Sequence, residues 1–188
     1  MKYIALLCAS AAIFFLYDPL MGSLFWVLTI ANIHAEEEKN GKLWTYFGKI
    51  TGATWLENLS PWLGYLLIVI PAHVLQTVAA LGAFGTNKVL PFWLALLIGA
   101  RLGDAIFSHI IPVLRGFKSS PEETAAKSNP GLPTGLIYLA DSIALALIFH
   151  GPLLAASRET LLSGFAIGAG FFAVVQPLLH LTGKIKLK

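Results

Sequence analysis

Residues 89–114 read VLPFWLALLIGARLGDAIFSHIIPVL, a stretch in which Arg101 and Asp104 are the only formal charges. A run this long outlasts a core strand. At about 1.5 Å per residue it is long enough to cross the roughly 30 Å of a bilayer's hydrocarbon as a helix. Working outward, similar apolar runs occupy 3–17, 20–39, 61–81, 131–153 and 160–182, so the pattern predicts six helices. Asp18-Pro19 separates the first two, because proline ends one helix and suits the first turn of the next. The alternative is a single kinked helix over 3–34, which gives five spans. Lys2 precedes an apolar stretch, but no clean small-x-small site before a polar mature start follows it, so a cleaved signal peptide fits less well.

Composition agrees with the runs. Of 188 residues, 56% are apolar and 12% charged, with a mean hydropathy of +0.73. A soluble domain carries about 25% charged residues. One cysteine, Cys8, excludes a disulfide-built module. The net charge of +3 comes from scattered loop and terminal residues rather than a stripe, which argues against nucleic acid as a partner. The expected fold is an all-α polytopic membrane helix bundle, one integral membrane domain over 1–188, multi-pass in the cytoplasmic (inner) membrane with the lipid bilayer as its partner.

The basic residues orient it. Six spans put Lys2, Lys39, Lys42, Lys49, Arg115, Lys118, Lys127, Lys184, Lys186 and Lys188 on one side. Lys88 and Arg158 fall on the other, so both termini should be cytoplasmic. Two cytoplasmic loops are long. The first, 40–60, carries Trp44, Tyr46, Phe47 and Trp55 and reads as an interfacial segment. The second, 116–130, reads as a flexible surface loop. In the last helix Gly164, Gly168 and Gly170 have the spacing of a close helix contact.

Titratable groups inside a span cost several kcal/mol by most estimates, so each needs a partner or a task. Most of them fall in the cytoplasmic half. Ile33-His34-Ala35-Glu36-Glu37-Glu38 closes the second helix ahead of Asn40-Gly41, and puts His34 on one face with Glu37 and Glu38. A histidine and a carboxylate one turn apart can bind one metal ion or share a proton. The structural alternative is an acidic rim neutralised by Lys39 and Lys42. On the fourth helix Arg101, Asp104 and Ser108 line up, which predicts an Arg101–Asp104 ion pair. His109 lies about 140° around an ideal helix from Asp104. The two can share a site only if the site wraps the helix, or if the helix deforms near Pro112. Asp141 lies about 15 Å along the fifth helix. His73 reads as an interhelical hydrogen-bonding group, and His150-Gly151-Pro152 as the end of the fifth helix. The sequence offers no matched histidine pair for haem, no mid-span lysine for retinal, no desaturase-type histidine boxes and no phosphate loop.

His34-x-x-Glu37-Glu38 resembles the signature of the HXXEE family of small integral membrane proteins. That family also has a histidine on a later helix and a Pro-Gly-x-x-Thr segment opening the next span. These correspond to His109 and to Pro130-Gly131-x-x-Thr134, preceded by Asn129. Where the family tends to show an asparagine one turn before that histidine, this chain has Ala105, with Asp104 beside it. The resemblance implies that His34, Glu37, Glu38, His109 and Thr134 meet in one site.

Such a site suits a divalent metal, zinc, iron or manganese, with His34, Glu37, Glu38 and His109 as ligands. Glu37, Glu38, His109 and Asp104 are the expected catalytic groups, and Arg101, Asn129, Thr134 and Asp141 the expected substrate contacts. The function expected is a metal-dependent hydrolase or oxidoreductase, or an acid–base enzyme, acting on a lipid or another hydrophobic small molecule. The alternative is a non-enzymatic carrier, or an accessory subunit of a homodimer or larger membrane complex, built on an Arg101/Asp104/Asp141 charge network.

Overall fold

The structure is a computed structural model that describes residues 2–37, 52–81, 89–114 and 132–186, with the backbone alone for Lys2, Glu37, Pro61, Ile68, Val69, Pro112, Val113 and beyond residue 174. These residues are helical and contain no strand. Helix α1 runs Lys2–Leu16 and α2 Pro19–Glu37. Asp18 caps α2, its Oδ1 accepting the Met21 N–H at 2.7 Å, and Pro19 occupies the first turn. The chain reverses there. Gly22 of α2 lies directly on the Phe14 backbone, a contact no Cβ would permit. The two helices are therefore an antiparallel hairpin, and the single kinked helix over 3–34 is corrected.

A short 3₁₀ turn, Thr54–Asn58, leads into α3. It buries Leu56 beneath an outward Trp55, so this part of the 40–60 loop has an inner and an outer face. Residues 40–51 and the 116–130 loop lie outside the described residues. Helix α3 covers 61–81, with Ser60 Oγ accepting the Leu63 N–H at 3.2 Å. Helix α4 covers 91–114. Both are interrupted by a π turn, at Tyr65–Val69 in α3 and Ala105–Ile110 in α4. The cause is the same in each. Pro71 and Pro112 stand two residues past the turns, and a proline lacks the N–H and collides with the carbonyl four residues back. Widening the preceding turn relieves that collision. Accordingly Ile70 donates to Tyr65 and Ile111 to Ile106, five residues back.

Helix α5 is Leu132–Ile148 and stops earlier than the expected 153. Phe149 leaves the helical region, because Pro152 collides with the Ile148 carbonyl, and a short α6, His150–Leu154, follows. His150 Nδ1 donates to the Leu147 carbonyl at 2.9 Å, the terminating role expected of it. Helix α7, Arg158–Lys186, opens on a Ser157 cap.

Helix α4 is central. Of an 18-residue apolar window in it 56% is buried, against 25% for the corresponding window of α3. Its Gly99 and Gly103 lie against the α7 backbone at Phe165 and Ala169, while Gly164 and Gly168 of α7 lie against Phe92 and Leu96. Both helices thus contribute a small-x₃-small pair, and their backbones pack closely. Gly170 has open space beside it and takes no part, which corrects that member of the expected set.

Among the described residues large apolar side chains face outward while several charged and polar ones are buried within the apolar core. Leu16, Leu154 and Leu147 are 85%, 82% and 69% exposed, while Arg101, His109 and Asp141 are buried. Two helical stretches, Trp62–Leu81 and Pro91–Ile110, are long and apolar enough to cross a membrane.

Candidate functional site

The π turn of α4 settles where His109 points. In an α-turn, residues i and i+4 stack; in a π turn it is i and i+5. Asp104 and His109 are five apart, and the extra residue brings His109 Nε2 to 3.9 Å from Asp104 Oδ2. That is ion-pair range in a nearly dry setting, with the imidazole side chain 3% exposed and the carboxylate 15%. The deformation near Pro112 is thus the one that lets both residues serve one site.

Three other helices complete the surroundings of His109. His34 of α2 packs edge-on against it, with ring centroids 5.1 Å apart. The Tyr65 ring, in the π turn of α3, lies 5.0 Å from that of His34. From α5, Gly135 gives His109 its room, since a Cβ there would come within 2.5 Å of the His109 Cβ. Thr134, fully buried, precedes that glycine. Tyr138, one turn on, has its ring 6.3 Å from His109. Both π turns therefore deliver residues to one cluster, where helix irregularities often mark function.

Arg101 does not pair with Asp104. Among the described residues its Nη1 is bonded to Asp141 of α5, and its Nη2 reaches Thr77 Oγ1 of α3 at 3.4 Å. The reason is burial. A guanidinium packed between three helices meets carboxylates across the interface, whereas Asp104 is turned toward His109. The expected Arg101/Asp104/Asp141 network is instead two pairs, Arg101–Asp141 and Asp104–His109, with Arg101 and Asp104 one turn apart on α4. His73 makes its interhelical bond to Tyr138 Oη at 3.1 Å, the two rings stacked at 15°.

The expected residues therefore divide. His34, His109 and Asp104 come together, with Thr134 in the adjoining turn. Arg101 and Asp141 sit elsewhere, joined to each other. Glu37 closes α2 one turn beyond His34, and its side chain, like Glu38 and Asn129 entirely, lies outside the described residues. Among those residues no three of His, Cys, Asp and Glu are grouped as metal binding requires. Two imidazoles alone do not make the site expected for zinc, iron or manganese.

Tyr65, Thr77 and Tyr138 were not among the expected residues. A signal existed for two of them. Thr134, Tyr138 and Asp141 are spaced i, i+4 and i+7, and His73 and Thr77 i and i+4, so each set shares a helix face. No family model, curated protein or solved structure matches the chain.

Proposed function

We propose that the chain is a multi-pass protein of the cytoplasmic membrane, with six spans, and an acid–base enzyme acting on a lipid or other hydrophobic small molecule. The observation that carries this reading is the Asp104–His109–His34 arrangement built by the α4 π turn. The Asp104 carboxylate faces His109 Nε2 at 3.9 Å, and His109 takes a proton from water or a substrate hydroxyl. His34, whose ring packs against His109, gives its own proton to the leaving group and is reprotonated from His109. The apolar walls exclude bulk water and strengthen the carboxylate–imidazole interaction. If a metal is bound, His34 and His109 would be ligands with carboxylates from Glu37 or Glu38. It would then polarise the substrate or its attacking water. The resemblance to the HXXEE family supports a shared site at these residues.

Lipid mass spectrometry on membranes containing equal amounts of wild type or His109→Ala tests this directly. The wild type should convert at least one lipid species that the variant leaves untouched. Indistinguishable lipid profiles would sink the enzyme reading. Metal content of the detergent-purified protein, measured beside His34→Ala/Glu37→Gln, then assigns the chemistry. Near-stoichiometric metal lost in the variant makes the enzyme metal-dependent.

A proton-linked carrier is the second reading. It is favoured by the polar side chains that run from His109 through Tyr138 and His73 to Thr77, Arg101 and Asp141. Under that reading Asp141→Asn abolishes function and Glu37→Gln leaves it intact.

A further inference from the structure

A cavity of about 160 Å³ lies between the α1–α2 hairpin and helices α3, α4 and α5. Phe14, Phe15, Trp26 and Leu97 give it apolar walls, and Arg101 and Asp141 are its charged residues, with Ser10, Ser23 and Thr77 also in its lining. Its rim includes Phe15, 67% exposed, so it reaches the apolar outer surface. It is separate from the histidine cluster, with Arg101 eight residues from His109 along α4.

Arg101 and Trp26, which line this cavity, each have a buried N–H with no acceptor among the described residues. Arg101 is 4% exposed and uses its Nη atoms on Asp141 and Thr77, yet its Nε is buried with no hydrogen-bond partner. Trp26 Nε1 is likewise buried without one. A buried N–H left unpaired costs about 1–3 kcal/mol, which an acceptor oxygen would relieve. Charge decides what kind of oxygen. Asp141 already neutralises the guanidinium, so an anionic headgroup would bring an uncompensated charge into an apolar wall. A neutral carbonyl brings none. Size is consistent too, since a dry apolar cavity of roughly 150 Å³ accommodates benzene.

We propose that this cavity binds a neutral apolar molecule, an acyl ester or a quinone, through a carbonyl oxygen that accepts from Arg101 Nε and Trp26 Nε1. The proposal does not depend on the acid–base reading, because it uses neither histidine.

The test is thermal melting and equilibrium binding of the detergent-purified full chain with methyl decanoate, decylubiquinone and decane. A carbonyl compound should raise the melting temperature saturably, and decane, which has no acceptor, should bind at least about five-fold more weakly. Whichever of the ester and the quinone binds more tightly identifies the source. Trp26→Phe, keeping an aromatic ring but not the N–H, should weaken carbonyl binding about five-fold while the unliganded protein melts as before. Ala144→Phe, which places a ring at the exposed edge of the cavity, should abolish it. His109→Ala should bind the probe normally, which separates this site from the proposed catalytic one. Equal binding of decane and the carbonyl probes, undiminished binding by Trp26→Phe, or no binding of any probe overturns the proposal.

Discussion

Asp104 lies 3.9 Å from His109 in a nearly dry site, within ion-pair range of the imidazole. Asp104→Asn removes the charge and keeps the shape. The expected outcome is about a 10²-fold loss of turnover, the low end for a general acid–base contribution, with the melting temperature almost unchanged. A variant that melts much earlier would mark Asp104 as structural instead. Arg101 and Asp141 call for a different experiment, because they pair with each other rather than with His34 or His109. Removing one partner leaves a buried charge uncompensated, so Arg101→Ala should destabilise by about 3–5 kcal/mol. Replacing both, as Arg101→Met/Asp141→Leu, should recover most of that loss, since apolar groups of similar volume often match a buried pair. Denaturant titration of the single and double variants measures the difference. If the double variant is as damaged as the single, the two side chains have obligations beyond each other, as membership of a ligand cavity would impose.

At the level of elements, the site exists because two helices are imperfect. Pro71 and Pro112 each force a π turn upstream, and the turns carry Tyr65 and His109. Pro112→Ala restores the missing N–H and removes the ring, allowing α4 to relax to an unbroken α-helix. In that geometry Asp104 and His109 diverge by about 140°. The variant should therefore be at least as stable as the wild type and, under the proposed acid–base function, still lose lipid conversion, a combination no simple packing defect produces. Melting temperature and the lipid assay, taken together, read it out. Retained activity would mean that packing against Gly135, rather than the proline, holds the turn. The α4–α7 contact is regular by comparison, with glycines at four-residue spacing on both helices. That regularity leaves the irregular face of α4 free to meet α2, α3 and α5.

Across the whole molecule, what was legible in the sequence was whatever composition and local spacing carry. The helix positions followed from apolar runs and from Asp18-Pro19, and the meeting of His34 with His109 from the motif resemblance. The partner of Arg101 was not legible, because an Asp three residues along and an Asp on another helix look alike until the helices pack. Nor were the π turns, whose only trace is a proline inside an apolar run, a feature that kinks some helices and widens others. The same limit applies to crossing the membrane, where length and apolarity are met outright by 62–81 and 91–110. Helix α1 has 15 residues, about 22 Å, less than the roughly 30 Å of hydrocarbon, so it crosses only if the bilayer thins or Lys2 reaches to the interface. Cysteine scanning decides this, starting from a Cys8→Ser background because Cys8 is the chain's one cysteine. With six spans, Lys88→Cys and Arg158→Cys react with an impermeant maleimide in intact cells. Lys2→Cys and Lys186→Cys react only after the membrane is opened. Labelling of Lys2→Cys from outside would leave α1 uncrossed or reversed. The α1–α2 hairpin would then be a wall leaning on the bundle, with the cavity beneath it opening directly to lipid.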